Sequence, residues 1–339
     1  METALNNSKR QWLQTSLHGL VISAFTMGAL STVTGAMAQA AYPSKPISLV
    51  VPYPPGGATD IIGRIMAQAM SKSLGQPVVV ENKAGAGTVI GAAEVAQAQA
   101  DGYTLLISSN TTFTVNPAIK AKLPYDPAKN FESVAGIGSS PLVLLANPNV
   151  PVKTVKELVA AANQPNAKFA FGSFGSGTTS HLAGEMFKYM AGVDILHVPY
   201  KGSAPAMTDL IGGQIQFTFD TNVAALPMLR AGKVKAIAVT SAQRSSTLPN
   251  VPTIAESGYP GYEMVPWIVI VAPRGLPKAV SQKLTSSIQD ILKDPNSKRD
   301  LERAGLEVAF EEPQSYDKRV ATELPLLRAY VHRAKITAD

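Results

Sequence analysis

The sequence predicts an α/β protein built from two sheet-forming units, one inserted into the other, with two crossing strands between them. Three observations carry this. Short apolar runs alternate with segments of helical period, the order that builds a sheet flanked by helices. The alternation comes in two series, separated by extended, proline-flanked segments. The stretch after Pro273 holds about three helical segments and almost no strand, so it cannot form a sheet unit alone. A chain of 339 residues also fits about two domains of roughly 100–200 residues each.

The elements follow in order. Ile47 to Val51 reads as a buried strand, and Ile61, Ile62, Ile65, Met66, Ala69, Met70 and Leu74 recur at helical spacing. Gly75 stands where a helix C-terminus favours glycine. Val78–Val80 is the next strand, Thr88–Ala98 the next helix and Tyr103–Ile107 a third strand, an order that implies a parallel sheet. In the second series, strands are read at Leu142–Ala146, Phe169–Phe171, Ile195–Val198, Ile215–Phe219 and Val234–Val239. Helices lie between them at Thr154–Asn163, Ser180–Met190, Pro205–Leu210 and Val223–Leu229. Trp267–Val271 is one more strand, followed by helices at Lys278–Leu292, Ser297–Ala304 and Tyr316–His332 and a short extended piece near Glu307–Phe310. Packing this tail on the first unit gives lobe 1 as residues 41–140 plus 266–339, and lobe 2 as the inserted residues 141–265. Gly138–Pro141 and Val265–Trp267 then form the crossing pair, a hinge beside a cleft.

Composition narrows the chemistry. Hydrophobic residues are 45% and charged ones 16%, enough for real cores and too little charge for disorder. Cysteine is absent, which removes disulfides, thiolate metal sites and a cysteine nucleophile. With four histidines and no metal-ligand spacing, neither a metal nor another cofactor is expected. The formal charge is +6, yet Lys and Arg never run beyond pairs, so nucleic acid is not an expected partner. Lys9 and Arg10 precede an apolar stretch from about Leu17 to Leu30, which ends in Ala36-Met37-Ala38-Gln39-Ala40. This is the pattern of a signal peptide over residues 1–40, cleaved after Ala38 or Ala40. The run is diluted by Thr26, Gly28, Ser31 and Thr32, below the roughly 20 apolar residues a membrane span needs. An exported, soluble mature protein is expected.

In open α/β sheets ligands sit beyond the carboxyl ends of the strands. Two glycine-rich loops occupy such ends. The first, Pro52 to Asp60, contains Tyr53, Gly57, Ala58, Thr59 and Asp60 and opens a helix; the second, Gly172 to Ser180, contains Phe174, Ser176, Gly177, Thr178, Thr179 and Ser180 and opens another. Glycine lets a ligand approach backbone N–H groups closely, and a helix N-terminus adds unpaired donors and partial positive charge. The Thr178 N–H is one expected donor. Lesser copies lie at Gly85–Thr88 and at Ser108–Thr111, which includes Ser109. Phosphate-loop and dinucleotide spacings are missing, and neither main loop holds Arg or Lys. A carboxylate, which N–H and hydroxyl donors satisfy at roughly 1.5–3 kcal/mol per bond, fits better. Tyr53, Phe174, Tyr200, Trp267 and Asp220 are candidates for the remaining apolar and polar anchors, with Asp220 either accepting from the ligand or capping the helix at Val223.

Catalysis has less support. Ser176 is not in a nucleophile-elbow motif, and His181, His197 and His332 stand singly in helix or strand. An exported serine hydrolase using Ser176 or Ser180 with His181 or His197 remains a rival reading. Tyr53-Pro-Pro-Gly-Gly-Ala-Thr-Asp60, Glu81-Asn-Lys-Ala-Gly-Ala-Gly87, Gly175-Ser-Gly-Thr-Thr-Ser-His-Leu182 and His197-Val-Pro-Tyr-Lys-Gly202 with Pro205-Ala206 resemble the Bug-type periplasmic solute-binding proteins, receptors of tripartite tricarboxylate transporters. The resemblance runs from about Tyr42 to the C-terminus. It implies a two-lobed Venus-flytrap fold, type II-like, closing on a small carboxylate between the Tyr53–Asp60 and Phe174–Ser180 loops. It further implies a periplasmic, monomeric receptor that serves membrane transporter subunits or, alternatively, a sensor kinase. Di- and tricarboxylates, acidic amino acids and aromatic acids are all implied ligands.

Overall fold

The computed structural model describes residues 42–337. The expected signal peptide lies outside the described residues. Two mixed sheets organise the rest. The first contains β1 (Ile47–Val51), β2 (Val78–Asn82), β3 (Thr104–Ser109), β4 (Phe131–Ser139), β10 (Trp267–Pro273) and β11 (Glu307–Glu311), in the spatial order β11-β4-β10-β3-β1-β2. The second contains β5 (Leu142–Ala146), β6 (Ala170–Ser173), β7 (Leu196–Pro199), β8 (Phe217–Thr221) and β9 (Lys235–Val239), in the order β7-β6-β8-β5-β9. Helices α1 (Ala58–Leu74), α2 (Val89–Ala96), α3 (Asn116–Ile119) and α4 (Pro127–Asn130) belong to the first stretch of chain. Then come α5 (Val155–Ala162), α6 (Thr179–Ala191), α7 (Ser203–Gly212) and α8 (Asn222–Arg230), and finally α9 (Lys278–Lys293), α10 (Pro295–Arg303) and α11 (Pro313–Ala334). Among the described residues no helix is long and apolar enough to cross a membrane.

The parallel expectation holds for β1 with β2 and β3, and β6 is likewise parallel to β7 and β8. The remaining strand pairs are antiparallel. Strand β10 runs antiparallel to both β3 and β4, β11 antiparallel to β4, and β5 antiparallel to β8 and β9. The cause is the inserted topology: one connection leaves the first sheet and the other returns, so the pair must run in opposite senses. They lie side by side, with Trp267 opposite Ser139 and the Ser140 N–H donating to the Pro266 carbonyl at 2.9 Å. Buried Thr240 ties the far ends together. Its hydroxyl accepts from the Leu142 N–H at 3.0 Å and donates to the Met264 carbonyl at 2.7 Å.

Strand β4 itself is absent from the sequence reading, which saw only its end. Gly136 and Gly138 interrupt its pattern, and both are required by β11. A Cβ on Gly138, whose φ is +142°, would lie 2.2 Å from the Glu307 carbonyl oxygen. The tail packs on the first sheet as expected: Thr285 on α9 donates to the Val134 carbonyl, and Ser287 bonds Ser73 on α1. Helix α11 does more than expected. Tyr316 and Val320 join the first unit's core, while Val331 and the following Ile336 enter the second unit's core with Leu182 and Phe187. The 111–119 segment does the same, sending Val115 into that second core.

Candidate functional site

Between the two sheets lies a cavity of about 50 Å³, several times the roughly 10–15 Å³ one water requires and too small for a peptide. Its floor is formed where the two crossing strands lie side by side, by Ser140, Pro266 and Ile268. One wall is the loop after β1, with Tyr53, Gly57, Ala58 and Thr59, backed by Ser109 and Thr111. The other is Phe174, Thr179, Thr221 and the segment Lys201–Pro205.

Two helix N-termini reach this cavity without a side-chain cap. Helix α1 starts after Gly57 and α7 after Gly202, and neither glycine can close the helix end. The other helix starts nearby are capped: Thr178 accepts from the His181 N–H and Thr221 from the Ala224 N–H. The uncapped ends leave first-turn N–H groups and the positive pole of each helix for a ligand. A second feature points the same way. The Ser140 hydroxyl is fully buried, lines the cavity and has no hydrogen-bond partner, an arrangement that costs about 1–3 kcal/mol unless a guest satisfies it.

Of the residues singled out in the sequence, Tyr53, Gly57, Ala58, Thr59, Ser109, Phe174 and Thr179 line the cavity. Tyr53 and Ser109 bond each other through their hydroxyls at 2.8 Å. The others sit elsewhere, each for a definable reason. Asp60 is buried behind the loop, accepting from the Gly56 N–H at 2.9 Å, from Arg64 and from Asn82. Burial works to raise its pKa, but those hydrogen bonds outweigh it and hold the carboxyl below its ordinary range. It shapes the loop. Trp267 faces away from the cavity because neighbours on a strand point to opposite sides; Ile268 takes the cavity side, while the indole N–H bonds Glu323 at 2.7 Å. Tyr200 donates to Asp209 at 2.7 Å.

The second glycine-rich loop departs most from expectation. Four of its amides are already engaged: Gly175 N–H with Ser173 Oγ, Gly177 N–H with His181 Nδ1, Thr178 N–H with the Gly175 carbonyl, and Thr179 N–H with Thr111 Oγ1. Thr178 is therefore a cap and not a ligand donor. Ser180 gives its proton to the Phe219 carbonyl, and Ser176 opens onto a separate depression with His181 and His197. Gly177 does not line the cavity either. Gly202 and Ser203, which the sequence did not single out, line the cavity instead. The signal was present: a glycine-serine pair opening the apolar-periodic run Ala206, Met207, Leu210. Lys201 also lines the wall from outside both loops.

Asp220 is fully buried at the end of β8, one layer behind the wall. It does not cap α8, whose cap is Thr221. Burial pushes its pKa up to about 6, against hydrogen bonds from Ser203 and Thr221.

Among the described residues, His181 and His197 form no triad with Ser176 or Ser180. Ser173, not Ser176 or Ser180, is the hydroxyl bonded to His197, at 2.7 Å to Nε2. His181, His197 and Glu185 lie close together. The two imidazoles stack with centroids 4.1 Å apart and planes 22° from parallel, and His181 Nδ1 and His197 Nε2 are engaged by the Gly177 N–H and the Ser173 hydroxyl. Burial, then His197, Lys188 and Lys120, push the His181 pKa down to about 3. Its sign is clear: an unfolded chain takes up this proton below about pH 6.5 while the folded one does not, so stability is lost as pH falls. Between pH 6.5 and 4.5 His181 should cost about 2.5 kcal/mol. Thermal melts across that range should show the loss, and His181→Asn should flatten the pH dependence; an unchanged slope would contradict the assignment.

The geometry can be set beside known proteins. The family model of the tripartite tricarboxylate transporter family receptor matches residues 62–333. The periplasmic binding protein BugD is 38% identical with a TM-score of 0.83, over 87% of this chain and 99% of that one. An R. palustris protein with adipate is 36% identical, TM-score 0.84, over 87% and 99% of the two chains. MatC from Rhodopseudomonas palustris with bound malate is 32% identical, TM-score 0.79, over 86% and 100%. These are solute-binding proteins and not enzymes. With the family model spanning most of its length, the chain belongs to the tripartite tricarboxylate transporter receptor family, the Bug-type periplasmic solute-binding proteins.

Proposed function

We propose that this protein is exported to the periplasm, captures one small organic carboxylate in the cavity between its sheets, and presents it, as a monomer, to a tripartite tricarboxylate-type membrane transporter. The observation that carries the reading is the meeting of two uncapped helix N-termini, at Gly57 and Gly202, with the unpartnered Ser140 hydroxyl in one cavity. A carboxylate at the α1 end takes N–H bonds from the first turn, and Lys201 and the α7 end hold the polar remainder of the ligand. The adipate and malate seen in related structures support an aliphatic dicarboxylate of modest length. The lobes are residues 41–140 with 266–339 and residues 141–265, hinged at Gly138–Pro141 and Val265–Trp267. A ligand that touches both walls favours the closed state because only that state offers both sets of contacts.

A thermal-shift panel of organic acids tests this. At 100 times its Kd a ligand adds about 2.7 kcal/mol of stability, a rise of several degrees in Tm. We expect at least one di- or hydroxy-acid to give that rise, confirmed by calorimetric titration with one site per chain. A flat response across mono-, di- and tricarboxylates, acidic amino acids and aromatic acids would overturn the reading.

A further inference from the structure

The two walls of the cavity differ in the carboxylate behind each: Asp60, behind the first, is paired with Arg64, whereas Asp220, behind the second, meets no cation among the described residues. Asp220 is fully buried at the end of β8. The Ser203 hydroxyl donates to its Oδ2 at 2.7 Å, and the Thr221 N–H donates to its Oδ1 at 2.8 Å. The Thr221 hydroxyl also leans on Oδ1, at 3.4 Å, and accepts from the Ala224 N–H on its other side. No cation pairs with Asp220 among the described residues. An ionised carboxylate has no proton to give, so in the Ser203 and Thr221 hydroxyl contacts with Asp220 the hydroxyl is the donor. Ser203 and Thr221 both line the cavity. With their protons turned inward to Asp220, what they show the ligand is lone pairs. The negative charge behind Ser203 also offsets part of the positive pole of α7.

We infer that Asp220, acting through Ser203 and Thr221, makes this wall a hydrogen-bond acceptor and selects carboxylates that carry a hydroxyl or ammonium group over their unsubstituted counterparts. The inference rests on the reading above, and it makes Asp220 a specificity-determining residue that never touches the ligand. The ligand's carboxylate belongs at the α1 end, its hydroxyl or ammonium hydrogens at Ser203 and Thr221. A site arranged to bond a polar hydrogen penalises an analogue without one, because its acceptors are then left unpaired.

Calorimetric titration with matched pairs tests it: malate and aspartate against succinate, and mandelate against phenylacetate. The substituted member of any pair that binds should bind at least about tenfold more tightly. In Asp220→Asn the new amide can donate to Ser203, freeing its proton for the cavity, and the preference should fall below about threefold. Ser203→Ala, which removes one acceptor, should lower the preference too and serves if Asp220→Asn fails to fold. Equal binding of both members in the unaltered protein would overturn this inference while leaving the carboxylate-receptor reading intact. A loss of affinity for both members alike in the variants, with their ratio kept, would also overturn it and reduce Asp220 to a structural role. Binding of no acid in any pair, together with the flat panel described above, would remove both.

Discussion

Gly202→Ala is expected to weaken ligand binding by about 10–100-fold while the protein still folds. Gly202 has φ +110° and ψ 179°, a region that side chains other than glycine's occupy only at a cost of about 1–3 kcal/mol. The space across the cleft is also taken. A Cβ there would lie 3.0 Å from Cγ and 3.3 Å from Cδ of Pro54, in the loop of the opposite wall. The added methyl acts as a wedge between the two sheets where they meet, and the ligand must work against it. Circular dichroism should report an intact fold, and titration with the best acid of the panel should report the weakened binding. Unchanged affinity would mean that the walls do not need to approach this closely to hold a guest.

Phe113→Ala should produce the largest loss of stability. Phe113 is fully buried. Its ring stacks on Trp267 at 5.9 Å and meets Phe131 and Tyr316 edge-on at 5.6 and 5.2 Å. Those partners come from β10, β4 and α11, so one side chain joins both crossing strands to the C-terminal helix. Truncation of a buried Phe costs about 3–5 kcal/mol, and urea melts should show that loss as a lower midpoint. A loss under about 1 kcal/mol would show that the surrounding rings close over the gap.

The residues that could be read in advance are those whose local chemistry has one outlet. The β1 loop is such a case: prolines, paired glycines and an apolar helical run leave little besides a tight turn feeding a helix, and four of its five candidates line the cavity. The Gly172–Ser180 loop has the same composition and another fate, because threonines serve a ligand or a neighbouring backbone equally well. Here Thr111 and Asn110 took Thr179, through bonds of 2.7–3.1 Å, and Thr178 took its own helix. Parity was equally hidden at β10. All seven of its residues are buried, so alternation leaves no polar face to show which of Trp267 and Ile268 turns toward the cavity. Asp220 was legible as a strand-end carboxylate, but its layer was not; only the fold puts Ser203 in front of it. Strand β4 was lost because its glycines, which suit the close approach of β11, read as loop.

Helix α11 is rooted in the first core through Tyr316 and Val320 and in the second through Val331, with Ile336 just beyond it. Pro325 falls between those two anchorages, at a position where a helix lacks one backbone bond and flexes most readily. Besides the two crossing strands, the two cores are thus joined by this helix and by the 111–119 segment, which places Phe113 in the first and Val115 in the second, and the helical link carries a proline joint midway.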